Sequence, residues 1–279
     1  MTHLPGYWRI TVIQESEATM RFTKMEGLGN DYLYVYGEVP EDIKDLSIKL
    51  SERHFGAGSD GMIYINASKK ADFSMRIFNA DGSEAKMCGN GIRCVGKYVY
   101  ERGYTDKTVL SIETQSGTKT LYLHVTNGVV ESVTVDMGRA IVQEDIDLGM
   151  HNLIATPVST GNPHAVIFTN DVENISLSII GPQVEHHKVF TGGVNCEFVQ
   201  VLGERELRMR VWERGSGITM ACGTGASAST AAAVTKGYCP YDTPIKVHLD
   251  GGTLTITVDR QCNVMMKGPC SFVYEGETL

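Results

Sequence analysis

Cys88 and Cys222 each stand directly before a Gly-x-Gly, in Met87-Cys88-Gly89-Asn90-Gly91-Ile92-Arg93 and in Ala221-Cys222-Gly223-Thr224-Gly225-Ala226. Residues 223–236 are dominated by Gly, Ala, Ser and Thr and run to a stop at Gly237, with Lys236 in the last turn, which predicts a helix. A second helix-like stretch follows Cys88 and ends near Gly103. Both cysteines are therefore expected at helix N-termini, where unpaired N–H groups and the helix dipole favour negative charge. A thiol placed there ionises more readily, and a carboxylate can be cradled beside it. One isolated Cys-Gly-x-Gly is more often an inert cysteine packed before a small-residue helix. Here the motif comes twice.

Sliding the chain by the spacing between the two cysteines lays Arg76-Ile77-Phe78-Asn79 on Arg210-Val211-Trp212-Glu213, each a predicted strand, and Gly89 and Gly91 on Gly223 and Gly225. Upstream, Gly29-Asn30-Asp31 falls near Gly161-Asn162-Pro163 with a two-residue slip. Two equivalent cysteines in two halves of one design suit two chemistries. One is a dithiol and disulfide redox or binding device. The other is inversion of a carbon centre, in which one group removes a proton from one face and its twin delivers a proton to the other. Inversion explains the duplication, whereas a redox pair needs only proximity and usually appears as Cys-x-x-Cys.

The elements that must position these residues are legible in outline. Residues 21–37 read as a strand, a turn at Gly27-Leu28-Gly29-Asn30-Asp31 and a second strand. Asp42 to Phe55 reads as a helix, and a glycine-rich loop, Phe55 to Gly61, feeds the strand Met62 to Ile65. That loop lacks the Lys-Ser/Thr and the following helix of a phosphate-binding loop. After the first cysteine helix, Thr118–Val125 and Val129–Met137 form a hairpin at Asn127-Gly128. After the second, Ile245–Leu249 and Leu254–Val258 join at Asp250-Gly251-Gly252. The expected fold class is α+β: two pseudo-symmetric halves, each a curved, antiparallel-rich sheet around a central helix, with the active site in the cleft between them. We place the halves at residues 1–132 and 133–267, with residues 1–19 an extension dispensable for chemistry and residues 268–279 returning to complete the first half.

The 279 residues are 42% hydrophobic and 21% charged, the composition of an ordinary soluble globular protein. A net charge of −8 argues against nucleic acid or an anionic membrane as partner, and no apolar run reaches spanning length. The first 19 residues do not read as a signal peptide. Seven cysteines, Cys88, Cys94, Cys196, Cys222, Cys239, Cys262 and Cys270, form no disulfide framework and no zinc-spaced cluster, so a reducing cytoplasm is the expected setting and no metal is expected. Apart from Cys88 and Cys222 they are read as structural.

Lys24-Met25-Glu26-Gly27-Leu28-Gly29-Asn30-Asp31, Asn79-Ala80-Asp81-Gly82-Ser83, Cys88-Gly89-Asn90-Gly91-Ile92-Arg93-Cys94, Gly161-Asn162-Pro163-His164, and Glu213-Arg214-Gly215 with Ala221-Cys222-Gly223-Thr224-Gly225 together resemble the diaminopimelate epimerase family, from about residue 21 to the end. The resemblance implies an isomerase without pyridoxal phosphate or other cofactor, a homodimer acting on a small amino acid, which interconverts LL- and meso-diaminopimelate for lysine and peptidoglycan synthesis. It implies that Cys88 and Cys222 are the two catalytic cysteines, that the N–H groups of Gly89, Asn90, Gly223 and Thr224 hold the reacting carboxylate, and that Asn30, Asn79, Asn162, Asn195 and Arg214 bind the substrate's ammonium and carboxylate ends. Glu213 and His164 match residues important for activity. Two positions depart from the family pattern: Gly61 stands where many members carry Gln, and Ile218 where many carry Glu. Both bear on selectivity, so the alternative is a related cofactor-independent racemase of another amino acid, such as histidine.

Overall fold

A computed structural model describes residues 19–278, so all but the last position of the expected extension lies outside the described residues. The first half runs β1 (Arg21–Gly27), β2 (Asn30–Tyr36), α1 (Ile43–Ser51), β3 (Gly61–Ala67), β4 (Phe73–Asn79), β5 (Glu84–Ala85), α2 (Gly89–Glu101), β6 (Val109–Thr114), β7 (Gly117–Thr126) and β8 (Val129–Arg139). Two short strands follow, β9 (Ile141–Val142) and β10 (Ile146–Asp147). The second half then repeats the order: β11 (Ile154–Ser159), β12 (Pro163–Phe168), α3 (Leu177–Glu185), β13 (Asn195–Gly203), β14 (Glu206–Glu213), β15 (Gly217–Ile218), α4 (Gly223–Thr235), β16 (Ile245–Leu249), β17 (Gly252–Val258) and β18 (Asn263–Gly268). β19 (Ser271–Glu277) ends the chain.

The repeat extends to strand direction. In the first half β1 and β2 are antiparallel, β2 and β3 parallel, β3 and β4 antiparallel, β4 and β6 parallel, and β6, β7 and β8 antiparallel in turn. The series β11, β12, β13, β14, β16, β17, β18 pairs with the same alternation. β8 pairs with β18 and so joins the halves in one sheet. Each half then sends its next strand across: β9 pairs with β11, and β19 with β1. Residue 132, the expected boundary, lies inside β8.

Local chemistry accounts for the turns. Asn127 and Gly128 both have positive φ, 51° and 80°, as a tight hairpin turn of right-handed strands requires. Gly237 has φ 76° just beyond the C-cap Lys236, which ends α4 as the sequence predicts. α1 is shorter than the expected Asp42–Phe55 helix. The N–H groups of Gly58 and Ser59 take the carbonyls of Leu50 and Ser51, so the returning loop satisfies the last turn and the helix stops at Ser51.

α2 and α4 are the hubs of the two halves. Every residue of α2 from Gly89 to Val99 is buried, as are nearly all of α4. A helix enclosed on all sides must be slim where strands approach it. At Gly96 an added Cβ would lie 2.9 Å from methyl groups of both Leu121 and Leu123. α4 meets the same demand with alanine and serine. A separate apolar cluster beneath α3 is built on Phe198, Ala165, Ile167 and Val194.

Phe198 is wholly buried (0% exposed) in that cluster, so Phe198→Ala should cost about 3–5 kcal/mol. The expected reading is a lower urea midpoint at unchanged m-value; an unmoved midpoint would contradict this packing.

Candidate active site

The two cysteines occupy the same local geometry. Cys88 is the N-cap of α2 with φ −137° and ψ 114°, and its sulfur accepts the Gly91 N–H at 3.3 Å. Cys222 is the N-cap of α4 with φ −124° and ψ 107°, and its sulfur accepts the Gly225 N–H at 3.4 Å. Extended backbone at the cap turns each side chain back over the first helical turn, where the amides lack carbonyl partners. Sulfur takes the place that a serine or aspartate oxygen usually fills.

The helix ends meet. A Cβ added to Gly89 would sit 3.7 Å from the Cα of Gly223, and Cβ atoms added to Gly89 and Gly223 would lie 3.1 Å from Met266 Cε and 2.9 Å from Met266 Sδ respectively. The Asn90 side-chain amide donates across to the Ala221 carbonyl at 3.1 Å. On the same side, the Leu28-Gly29 turn of the first half packs on Met220 and on the Gly251 turn of the second. Two N-termini thus face one another, with four first-turn amides, those of Gly89, Asn90, Gly223 and Thr224, at their junction.

Helix ends and amides alone favour thiolates, and the sequence predicts easy ionisation. Burial reverses that here. It pushes the Cys88 thiol up to about 11, against the pull of the Gly91 N–H, and the Glu213 carboxylate adds to the rise. Burial drives Cys222 well above the ordinary thiol range, and the carboxylates of Glu213 and Glu197 push the same way. Both groups are therefore thiols at neutral pH in this arrangement, and a cation delivered between them would lower the cost of a thiolate.

Side chains from loop and strand ends surround the thiols. The Cys88 S–H donates to Asn30 Oδ1 at 3.3 Å, and Asn30 Nδ2 donates to Asp60 Oδ2 at 2.7 Å. Asp60 in turn receives Arg53 at 2.9 Å. On the other side, Thr224 Oγ1 lies 3.4 Å from the Cys222 sulfur and accepts from Asn162 Nδ2 at 3.4 Å. His164 Nε2 is 3.1 Å from Asn162 Oδ1, and its Nδ1 donates to Glu197 Oε1 at 2.7 Å. The Thr219 hydroxyl donates to Glu213 Oε1 at 2.5 Å, and burial raises the Glu213 carboxyl against the pull of that hydroxyl and of Cys222.

The remaining sequence candidates sit at strand ends. Asn195 opens β13 beside His164, and its Oδ1 accepts the Arg214 N–H at 2.9 Å. The Arg214 side chain is exposed, reaches only the Gly192 carbonyl and makes no salt bridge among the described residues, so its guanidinium is free to take a carboxylate. Asn79 closes β4 opposite Gly61 and donates to Ser83 Oγ at 3.0 Å. At Gly61 an added Cβ would fall 2.1 Å from the Phe78 carbonyl oxygen, so the backbone leaves no room for any side chain there. The exposed Ile218 pairs with Trp212 in the short β15. No group of three His, Cys, Asp or Glu side chains is arranged to hold a metal among the described residues.

Three residues that sequence reasoning passed over belong to this surrounding. Asp60 holds Asn30. Arg93, wholly buried (0% exposed), donates to Gly89 O at 3.1 Å and Asn90 Oδ1 at 3.0 Å, and so fixes the first turn of α2. Glu197 lies under Gly225, whose Cβ position would be 2.6 Å from Glu197 Oε1. The signal for Glu197 was available: the spacing that superposes the cysteines also lays it on Ile63, a charge on an apolar strand position.

With this geometry in hand, the family model for diaminopimelate epimerase matches residues 22–142 and 156–273. A diaminopimelate epimerase of Bacteroides thetaiotaomicron is 51% identical over 264 residues, covering 92% of this chain and 97% of that protein. One from Methanococcus maripaludis is 46% identical over 276 residues, covering 92% and 99%. Among solved structures, a hydroxyproline epimerase from Agrobacterium vitis with bound trans-4-hydroxy-L-proline superposes with a TM-score of 0.68 at 17% identity, covering 93% of this chain and 91% of that one. A phenazine biosynthesis protein of the PhzF family from Bacillus anthracis does so with a TM-score of 0.70 at 16% identity, covering 94% and 99%. At such identities the likeness is one of fold. The family match and the close relatives carry more: this chain belongs to the diaminopimelate epimerase family.

Proposed function

We propose that this protein interconverts LL- and meso-2,6-diaminopimelate by moving one proton off, and another onto, a single α-carbon between Cys88 and Cys222. The observation that carries the reading is the pair of cysteine-capped helices whose first turns touch. One cysteine, as thiolate, takes the α-proton; the electron pair left on carbon spreads into the adjacent carboxylate. The other cysteine, as thiol, gives its proton to the opposite face, and which cysteine does which depends on the direction of reaction. Atoms and charge balance without a cofactor.

The carboxylate on the reacting carbon lies between the N–H groups of Gly89, Asn90, Gly223 and Thr224, where two helix N-termini add their fields. Charge grows on that carboxylate in the transition state, so the amides stabilise the transition state more than the substrate. The α-ammonium supplies the cation that two thiols of raised pKa need, and Glu213 holds it. Asn30, Asn79, Asn162 and Asn195 orient the polar ends, Arg214 takes the distal carboxylate, and His164 orders the Cys222 side. The two halves, dividing after β8 with the last strand returned to the first, act as jaws around the substrate. A homodimer in the cytoplasm is supported by the sequence resemblance and by seven unpaired cysteines.

A second reading, a racemase of another amino acid on the same scaffold, is favoured only by Gly61 and Ile218. In heavy water, LL-diaminopimelate should gain solvent deuterium at one α-carbon, and Cys88→Ala or Cys222→Ala should lower that exchange by about 10²–10⁴-fold or more. Exchange confined to an amino acid with one centre, histidine for instance, would transfer the assignment to the second reading.

The raised thiols set a pH dependence. A thiol held at about 11 is ionised in a small fraction that grows with each step of pH, so iodoacetamide trapping of Cys88 in the free enzyme should rise about tenfold per unit from about pH 7 to 9. A plateau below about pH 8, followed by peptide mass spectrometry, would contradict the burial argument.

A further inference from the structure

Glu197 is the most deeply buried carboxylate of the described structure, and both it and His164 have fully buried side chains. Its Oε2 finds no hydrogen-bond partner, and its Oε1 has His164 Nδ1 at 2.7 Å. Holding such a group out of water costs several kcal/mol unless partners compensate, and a half-satisfied carboxylate is compensated poorly. The fold does not demand it. In the first half the equivalent of Glu197 in β13 is Ile63 in β3, which lies under Gly91 as Glu197 lies under Gly225: the two Cβ positions would be 2.7 Å from Ile63 Cδ1 and 2.6 Å from Glu197 Oε1. Strand register extends the match, because Tyr34 pairs with Ile63 and Val166 with Glu197. That places Tyr32 where His164 stands. A Tyr-Ile pair thus fills one half, and a His-Glu pair fills the other.

Both halves connect this pair to the thiol, the first from Tyr32 through Asn30 to Cys88, but only in the second does the connection start from a buried carboxylate. From Glu197 the run passes to His164 (2.7 Å), to Asn162 (3.1 Å), to Thr224 (3.4 Å) and to the Cys222 sulfur (3.4 Å). A carboxylate can only accept, so Nδ1–H of His164 is committed to it, and Nε2 is thereby turned onto Asn162 Oδ1, also an acceptor, which it meets as a second N–H donor. We propose that Glu197 is a positioning residue of the Cys222 half-site, which fixes the His164 ring so that Asn162 and Thr224 meet the substrate in one arrangement. This rests on the epimerase reading of the site. The cost of the buried charge is met by geometric definition of Asn162, which is a role that an isoleucine cannot fill.

The test uses full-length protein and two variants. Glu197→Ile installs the residue of the other half, and Glu197→Gln keeps an oxygen that can accept Nδ1–H. Glu197→Ile should melt at or above the wild-type temperature while kcat falls about 10–100-fold with KM little changed. Glu197→Gln should keep kcat within about threefold, because the hydrogen bond survives. Long-range proton–nitrogen NMR of His164, assigned by its loss in His164→Gln, should show a protonated Nδ1 in wild type and Glu197→Gln and an altered state in Glu197→Ile. If Glu197→Ile keeps wild-type kcat, or if both variants lose activity only in step with melting temperature, the proposal is overturned. An unprotonated Nδ1 in the wild type overturns it also. The NMR arm needs no substrate, so a wild-type chain that fails to exchange diaminopimelate protons would refute the epimerase reading while leaving the His164 result to judge Glu197 separately.

Discussion

The structure turns on a thiol capping a helix. An N-cap must accept a hydrogen bond from the first turn, and here the acceptor is the same atom that would carry out proton transfer. Building the cap in duplicate and bringing Gly89 against Gly223 concentrates two sets of unpaired amides at one point. Much of the surrounding architecture is what such an approach needs. Residues at the contact have no side chain, Met266 fills the groove behind them with a flexible thioether, and Arg93 and Asn90 tie the first turn of α2 to its own carbonyl and to the opposite half.

Duplication gives the two positions and departures from it give them character. Asn79 against Glu213, Ile63 against Glu197 and Arg93 against Ser227 are the same places in the two halves. At each, the second half carries more negative charge or less positive. A symmetric site would treat both faces of a carbon alike in every respect. Charges placed on one side only let the two thiols differ in proton affinity, which an exchange of roles between them requires the substrate to overcome.

Burial explains why this site needs its ligand's charge. Cys88 and Cys222 stay protonated because an anion in a poorly solvated place is costly, and helix amides offset only part of that cost. A zwitterionic amino acid brings an ammonium and a carboxylate together, one lowering the cost of the thiolate and the other fitting the amides.

The sequence by itself determined the paired Cys-Gly-x-Gly motifs, their helices, the two hairpins and the duplicated halves, because these rest on local chemistry: positive-φ glycines, small-residue runs and alternation, each read within a few residues. The shorter α1 escaped it, since the end of that helix is set by Gly58 and Ser59 returning to cap it. So did α3, in which Gly181 is required by the Trp212 ring, 2.5 Å from where a Cβ would be. Tertiary structure alone decided that β9 crosses to the second half, that burial outweighs the helix amides at both thiols, and that Glu197 reaches His164. Those outcomes depend on which distant segments exclude water from one another, and neither the desolvation of a group nor the partner of a buried carboxylate is written in its neighbours along the chain.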